Sequence, residues 1–215
     1  MKQGAIFDMD GVLFDTERMY QETWHEVASE RGITLPPDYA YYVSGASRDG
    51  VYEAVRRFYH TDDPLQVTTD VYERMRIKQQ KQLPIKPGVK EILTFFQEQK
   101  IKTAIASSTF REQVNYNLKN NGMEDCFDTV ICGDEVTKAK PDPEIFLKAA
   151  RKLSLPPEEC YVFEDSFNGI RAAHAAGCVA VMVIDLMEPN EEIRALTDHV
   201  FSDLNEARSI LSSKT

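Results

Sequence analysis

The sequence predicts an α/β protein: a doubly wound parallel sheet with an inserted all-α unit. Short runs that are apolar nearly throughout recur along the chain, which is typical of strands buried on both faces of a parallel sheet. Amphipathic helical patterns separate most of these runs, and this β-α-β-α order indicates a doubly wound core. The 215 residues suffice for one large domain or two small ones.

The predicted core begins with a strand at the N-terminus and continues after residue 83. Its six predicted strands are GAIFDM, IKTAIAS, FDTVIC, CYVFED, CVAVMVI and HVFSD. Its four predicted helices are GVKEILTFFQEQK, FREQVNYNLKNNG, DPEIFLKAARKLSL and SFNGIRAAHAAG. Pro143 stands near the start of the third helix, where proline is tolerated, and Ser166 can serve as the N-cap of the fourth.

The residues from 16 to 82 have a different pattern, helical and amphipathic without a convincing buried strand. Three helices are predicted there, in TERMYQETWHEVASERG, ASRDGVYEAVRRFYH and VTTDVYERMRIKQQKQ. We therefore predict a core domain of residues 1–15 and 83–215 and an inserted helical domain of residues 16–82. Because two tethers join them, the insert can close over the end of the first strand.

Composition limits the possible partners. A net charge of −10 argues against a general nucleic-acid binder, which normally shows a basic face. No apolar run approaches transmembrane length, and the first strand leaves no room for a signal peptide. We read the four cysteines as small core residues in a reducing compartment. We expect a cytoplasmic protein without membrane contact, and a monomer because the inserted domain must move.

Polar residues gather at the carboxyl ends of the predicted strands, where open α/β sheets bind their ligands. Asp8 and Asp10 end the first strand, and Ser107 and Ser108 follow the second. Lys138 and Lys140 follow the third strand, and Glu164 and Asp165 end the fourth. The topology therefore predicts one crevice that combines carboxylates, hydroxyl groups and a lysine.

This set of side chains indicates phosphoryl chemistry. Clustered carboxylates without histidine or cysteine suit a hard cation such as Mg²⁺, which would offset the repulsion between Asp8 and Asp10. The backbone N–H groups of Ser107 and Ser108 suit a phosphate, and a lysine completes the clamp. Of two adjacent carboxylates, one can be the nucleophile and the other the general acid and base.

The chain resembles the haloacid dehalogenase superfamily, in its subgroup of small-molecule phosphatases and β-phosphoglucomutase-like proteins. DMDGV matches the first family motif, Ser107 in IASS the second, Lys140 in KPDPEIF the third, and Glu164 with Asp165 in FEDSFNGI the fourth. The motifs occur in the family's order over nearly the whole chain. The resemblance implies a Rossmann-like core with a helical cap inserted after the first motif.

The resemblance also implies roles for the carboxylates. Asp8 would be the nucleophile and a Mg²⁺ ligand. Asp10 would be the general acid and base, with its backbone carbonyl on the metal. Asp165 would bind Mg²⁺, with Glu164 as a direct or water-mediated neighbour. Dehalogenases of the superfamily lack a carboxylate at the position of Asp10, so halide displacement is disfavoured.

The remaining implied roles concern the phosphoryl group and the cap. Ser107 and the N–H of Ser108 would bind the transferring phosphoryl group, and Lys140 would neutralise its charge and that of Asp8. In the cap, SGASR places Gly45 and Arg48 in a loop that resembles the one facing the active site in the β-phosphoglucomutase-like subgroup. Arg48 could grip a distal phosphate or sugar hydroxyl groups, or could be a solvated residue at a helix start. Thr16 resembles the family's hinge position.

Three functions remain open at this point. The leading hypothesis is a Mg²⁺-dependent phosphatase for a small phosphorylated metabolite such as a sugar phosphate. The second is a hexose-phosphate mutase of the β-phosphoglucomutase type, which in that enzyme relies on a cap histidine where this chain has Tyr20. The third is a non-catalytic phospho-acceptor or regulatory module, against which Asp10 and the inserted helices argue.

Overall fold

The computed structural model describes residues 1–44, 46 and 48–213. The chain divides into two compact units. One contains Met1–Phe14 and Ile85–Thr215, and the other contains Asp15–Pro84. We call the first the core unit and the second the helical unit.

The core unit is built on one parallel six-stranded sheet with the strand order β3-β2-β1-β4-β5-β6. The strands are β1 (Gly4–Phe7), β2 (Lys102–Ala106), β3 (Thr129–Ile131), β4 (Cys160–Glu164), β5 (Val179–Val183) and β6 (His199–Phe201). The order reverses at β1, which pairs with β2 on one side and β4 on the other. Ligand crevices of open parallel sheets form at such a switch point.

The helical unit contains α1 (Thr16–Glu30), α2 (Ala40–Val43), α3 (Arg48–Tyr59) and α4 (Pro64–Lys81). Its helices share an apolar core in which the rings of Trp24, Tyr39 and Tyr59 meet at 5.7–6.2 Å between centroids. The buried Tyr59 hydroxyl donates to the carbonyl oxygen of Trp24 at 2.6 Å. The amphipathic patterns of the sequence thus bury one face of each long helix.

The helices of the core unit are α5 (Val89–Glu98), α6 (Arg111–Asn120), α7 (Glu144–Leu153), α8 (Phe167–Ala175), α9 (Glu191–Leu196) and α10 (Leu204–Ser212). Successive residues of β1 serve opposite faces of the sheet. Ile6 packs into the cluster formed with α7 and α8, whereas Phe7 stacks on Phe163 at 4.7 Å and meets Phe96 of α5 at 6.1 Å. Burial on both faces explains why the sequence of β1 is continuously apolar.

Comparison with the sequence confirms the predicted fold class, an α/β Rossmann-like parallel sheet with an inserted helical segment. The predicted cap of α8 is also present, since the Ser166 hydroxyl accepts from the Gly169 N–H at 3.0 Å. The prediction for the cysteines is wrong at Cys126, which is exposed, while Cys132, Cys160 and Cys178 are buried. None of the described helices is long and apolar enough to cross a membrane.

Candidate active site

Asp8 follows the central strand directly, and the register of the sheet sets its neighbours. Phe7 pairs with Ile105 of β2 and with Phe163 of β4, so the residues after these three lie along one edge. The Asp8 N–H donates to the carbonyl oxygen of Phe163 at 2.9 Å, which continues the ladder by one step. The Asp8 side chain is only 9% exposed. A buried carboxylate therefore lies at the switch point.

The turn after Asp8 brings a second carboxylate against the chain. Gly11 has a φ of +82°, a conformation that side chains other than glycine rarely adopt. A Cβ at this position would meet the Asp165 carboxylate oxygen Oδ2 at 2.2 Å. The glycine of the first motif is therefore required twice, for the turn and for the close approach of Asp165. This approach places Asp165 beside the turn that carries Asp10.

Lys140 lies at the centre of the site. Its ammonium group donates to Asp8 Oδ1, to Glu164 Oε1 at 2.7 Å and to the carbonyl oxygen of Ala106 at 3.3 Å. It also lies 4.9 Å from the centre of the Phe146 ring. The side chain is 8% exposed, so this cation is buried together with its partners. Lys138, in contrast, is exposed and pairs with Asp142 at 3.4 Å.

Glu164 is the most buried acid of the site, and both of its carboxylate oxygens are engaged. Oε1 accepts from Lys140, while Oε2 accepts from the N–H and the hydroxyl of Ser166 at 2.8 and 2.9 Å. A Cβ on Gly169 would meet Glu164 Oε1 at 1.8 Å, so the first turn of α8 fits over this carboxylate only with glycine. Ser166 therefore caps α8 and also orients Glu164.

The loop after β2 brings hydroxyl groups to Asp10. Ser107 is fully buried, and its hydroxyl lies 3.4 Å from Asp10 Oδ2. The Thr109 hydroxyl donates to the same oxygen at 2.7 Å, and the Thr109 N–H donates to the Ser107 hydroxyl at 3.0 Å. Ser108 lies between them and is exposed. Helix α6 begins only at Arg111, with Phe110 as its N-cap, so Ser107 does not cap it.

The charges of the buried groups affect one another. Burial raises the pKa of the Asp8 carboxyl, Lys140 opposes this rise, and the carboxylates of Glu164 and Asp10 add to it. Burial alone would lower the pKa of Lys140, but Asp8 and Glu164 outweigh burial, so its pKa is raised. The lysine is therefore held in its charged form by two buried carboxylates, and its single charge leaves their negative charge only partly balanced.

Comparison with known proteins agrees with this geometry. Residues 2–177 match the family model described as a haloacid dehalogenase-like hydrolase. The chain belongs to the haloacid dehalogenase-like hydrolase family. This result confirms both the predicted family and the prediction of an enzyme. The motif residues of this haloacid dehalogenase-like hydrolase all lie within the matched range.

Similar proteins cover most of the chain. A phosphorylated carbohydrates phosphatase of Thermotoga maritima is 36% identical over 176 residues, which are 81% of this chain and 82% of that protein. The fructose-1-phosphate phosphatase of Escherichia coli K12 is 30% identical over 84% of this chain and 95% of its own length. The structure of a HAD family hydrolase from Deinococcus radiodurans R1, with bound phosphate and sodium, has a TM-score of 0.83 and 26% identity, covering 99% and 96% of the two chains.

The donor set of this haloacid dehalogenase-like hydrolase fits a hard cation. Asp8, Asp10 and Asp165 bring carboxylate oxygens to one edge of the sheet, and the Asp165 carboxylate lies against the backbone of Gly11. Oxygen ligands of this kind suit Mg²⁺. The raised pKa of the Asp8 carboxyl also favours a cation at this place. A further positive charge would offset the cost of ionising this buried group. Glu164 already has both oxygens engaged by protein donors.

The predicted cap residues lie in the helical unit. Thr16 is fully buried and begins α1, and Arg48 is exposed and begins α3. Gly45 lies outside the described residues. Ser44 donates from its hydroxyl to Glu17 Oε2 at 2.6 Å. The proposed substrate roles of Gly45, Arg48 and Thr16 remain predictions.

Sequence reasoning overlooked two hydroxyl groups of the site. Ser166 was predicted only as an N-cap, although its hydroxyl also contacts Glu164. Thr109 was not singled out from the sequence, although its hydroxyl donates to Asp10 at 2.7 Å. For Thr109 the available signal was its place two residues after Ser107. A serine or threonine hydroxyl often accepts from the N–H two residues later, which shapes the loop between them.

Proposed function

We propose that the protein is a Mg²⁺-dependent phosphatase that hydrolyses a small phosphorylated metabolite, such as a sugar phosphate, through an aspartyl-phosphate on Asp8. One observation carries this proposal: the buried Asp8 carboxylate is held by Lys140 at the switch point, next to a second carboxylate, Asp10, that receives hydroxyl donors. This pair provides a nucleophile and a proton donor at one strand end.

In the first step, an Asp8 carboxylate oxygen attacks the phosphorus, and the bond from phosphorus to the ester oxygen breaks. Asp10 in its acid form gives its proton to that leaving oxygen, and the product is an alcohol. Lys140 lies beside Asp8 and neutralises the negative charge that gathers on the phosphoryl oxygens. The Ser107 hydroxyl and the Ser108 N–H bind the same oxygens.

In the second step, water attacks the phosphorus of the aspartyl-phosphate. Asp10, now ionised, accepts a proton from this water, so it returns to its acid form. The bond from phosphorus to Asp8 breaks, which releases inorganic phosphate and restores the carboxylate. One water molecule is consumed, and every group of the protein regains its starting state. Glu164 keeps Lys140 in place through both steps.

The carboxylates of Asp8 and Asp165 and the backbone carbonyl of Asp10 would hold Mg²⁺, which supplies positive charge that neutralises the phosphoryl group when it is bound. Glu164 would be a neighbour of the metal through water, because Lys140 and Ser166 already occupy its oxygens. We keep the monomer as a prediction.

Two features favour a sugar phosphate as substrate and hydrolysis as outcome. The similar proteins from Thermotoga maritima and Escherichia coli are named phosphatases of phosphorylated carbohydrates and of fructose 1-phosphate. Tyr20, at the position of the mutase histidine, packs edge-to-face on Tyr72 at 6.1 Å between ring centroids. A phenol at this place lacks the imidazole that gates the mutase reaction.

The test is phosphate release from a panel of sugar phosphates, nucleotides and small phosphoesters, with Mg²⁺ and with a chelator. Asp8→Asn serves as the control variant, and β-glucose 1-phosphate is followed separately for isomerisation. We expect release that needs Mg²⁺ and is lost in Asp8→Asn. Isomerisation with little release would establish the mutase instead. If no substrate of the panel releases phosphate or isomerises, the proposal of a phosphatase is contradicted and a phospho-acceptor is favoured.

A further inference from the structure

The Asp10 carboxylate accepts a shorter hydroxyl contact from Thr109 than from Ser107. Thr109 Oγ1 lies 2.7 Å from Asp10 Oδ2, whereas Ser107 Oγ lies 3.4 Å from it. Hydroxyl-to-carboxylate hydrogen bonds are strongest near 2.5–2.7 Å and weaken at longer distances. The Thr109 hydroxyl therefore holds Asp10 Oδ2 more firmly than the Ser107 hydroxyl does.

Thr109 is itself fixed by its backbone on both sides. Its N–H donates to the Ser107 hydroxyl at 3.0 Å, and its carbonyl oxygen accepts from the Gly133 N–H at 3.0 Å. Gly133 follows β3 and lies so close to this loop that a Cβ on it would meet the carbonyl oxygen of Ser108 at 2.0 Å. The position of the Thr109 hydroxyl is therefore set by the ends of two neighbouring strands.

The competing role for a threonine at this place is a helix cap. The N-cap of α6 is Phe110, one residue further on, and Thr109 directs its hydroxyl to Asp10. A hydroxyl that caps a helix would instead accept from an N–H of the first helical turn.

We infer that Thr109 is a positioning residue for Asp10: its hydroxyl fixes the carboxyl group of the general acid and base. The inference rests on the proposed function, because it gives Asp10 the proton transfer described above. A misplacement of about 1 Å can lower a rate about 100-fold, so loss of this hydroxyl slows each step that needs the Asp10 proton.

The experiment compares two substrates that differ in their need for the acid. One is the sugar phosphate that the wild-type protein hydrolyses fastest, whose alkoxide cannot leave without a proton. The other is p-nitrophenyl phosphate, whose phenolate leaves unprotonated. Single-turnover rates of the first bond cleavage are measured for wild type, for Thr109→Val, which has the same shape without a hydroxyl, and for Thr109→Ser, which keeps the hydroxyl.

We expect Thr109→Val to lower the cleavage rate of the sugar phosphate about 100-fold, within the range that general acid catalysis contributes. Release of p-nitrophenol in the first turnover stays close to the wild-type rate, since this step needs no proton. Thr109→Ser restores most of the rate on the sugar phosphate. Thr94→Val is the matched control, because the Thr94 hydroxyl donates to the Lys90 carbonyl oxygen within α5 at 2.8 Å, away from the strand ends.

Two results would overturn the inference. Equal losses on both substrates would mean that Thr109 only shapes the phosphate-binding loop, and unchanged rates would mean that its hydroxyl is dispensable. If Thr109→Val fails to fold, Thr109→Ala answers the same question. A wild-type protein that cleaves neither ester contradicts the proposed function itself and removes the basis for the role of Thr109.

Discussion

Lys140 shows what single residues decide in this protein. One buried ammonium group donates to two buried carboxylates, Asp8 and Glu164. Each contact is a charge-assisted hydrogen bond, which offsets the desolvation cost of burying the charges. Removing one member of such a buried group leaves the others without compensation, which costs more than the pair contributes on balance. The stability of the site therefore depends on its being complete.

Replacing the lysine by an apolar residue of similar length tests this dependence. We expect Lys140→Met to lower the free energy of unfolding at neutral pH by about 3 kcal/mol, because Asp8 and Glu164 stay buried without their cation. Urea-induced unfolding measures the loss. Lys138→Met is the matched control and should have almost no effect, since Lys138 is 70% exposed. Equal effects at the two positions would contradict the assigned burial.

The sequence predicts the site residues that belong to a recognisable motif. It does not predict the residues whose role comes only from a contact made in the folded protein. Asp8, Lys140 and Asp165 stand at fixed places in recognisable motifs, and the structure brings all three to one edge of the sheet. The hydroxyl contact of Thr109 depends on the rotamer of Asp10 and on the approach of Gly133, 24 residues later. No local pattern encodes such an approach.

At the scale of elements, α8 shows how a helix is fitted to the site. Glycine inside a helix usually costs stability, so replacing it by alanine normally stabilises a protein by up to about 1 kcal/mol. Gly169 is an exception because a Cβ would lie 1.8 Å from Glu164 Oε1. The helix gives up intrinsic stability so that the buried carboxylate can lie beneath its first turn.

This close contact reverses the usual sign of a glycine substitution. We expect Gly169→Ala to destabilise the protein and to lower activity, because Glu164 must move away from Lys140. In a Glu164→Ala background the same substitution should be neutral or stabilising, since the clash is gone. Thermal unfolding of the four proteins forms a double-mutant cycle. A destabilisation of equal size in both backgrounds would contradict this explanation.

A second element, the loop before Lys140, depends on the first residue of α7. The Glu144 carboxylate accepts from Lys148 Nζ at 2.7 Å, from the Thr137 hydroxyl at 2.8 Å and from the Lys138 N–H at 2.9 Å. These contacts, first of all the one from Lys148, lower the pKa of Glu144 to about 2. The charged form of Glu144 therefore stabilises the loop before Lys140 through hydrogen bonds from Thr137 and Lys138.

The lowered pKa gives stability a defined dependence on pH. Because the folded value lies below the ordinary 4.5, the contribution of Glu144 is fully present above pH 4.5 and is lost as pH falls toward 2. We expect Glu144→Gln to have a lower free energy of unfolding than wild type at pH 7. This difference in free energy should become smaller as the pH falls from 4.5 toward 2. Urea unfolding across this range measures it. A difference that stays constant with pH would contradict the assignment.

The sequence predicted the strands, even the three-residue β3 and β6, better than it predicted some of the helices. The six strands were recognisable because a parallel sheet buries both faces of each strand. Helices α2 and α9 have four and six residues, too few for a helical period to show. The nine residues of α10 also gave no prediction, although Asp203 caps this helix by accepting from the Glu206 N–H at 2.9 Å.

For the whole molecule, we expect Mg²⁺ binding to add to folding stability, independently of any turnover. A ligand that binds only the folded state at 100 times its Kd stabilises it by about 2.7 kcal/mol. We expect Mg²⁺ to raise the melting temperature of wild type but not of Asp165→Asn. The matched control is Asp134→Asn, in a separate group with Cys132 and Glu135. If Mg²⁺ still stabilises Asp165→Asn but not Asp134→Asn, the metal binds elsewhere.

The helical unit carries two of the predicted roles. Substrate choice through Arg48, and closure of this unit over the strand ends, remain predictions. The sequence gives the helical unit its own apolar core, built on Trp24, Tyr39 and Tyr59. Packing requirements account for those residues, whereas the predicted substrate contacts would come from exposed residues that no motif specifies.

The central claim is that Asp8 carries the phosphoryl group, and trapping that intermediate tests it most directly. Asp10→Asn is mixed with p-nitrophenyl phosphate and Mg²⁺, quenched in acid and reduced with borohydride, which converts an aspartyl-phosphate to homoserine. Because Asp10 is needed to activate water but not to release p-nitrophenolate, the intermediate should accumulate. Mass spectrometry of the peptide that contains position 8 should then find homoserine there. A burst of p-nitrophenol with an unchanged Asp8, or with the modification at another residue, would contradict the role of Asp8 as the nucleophile.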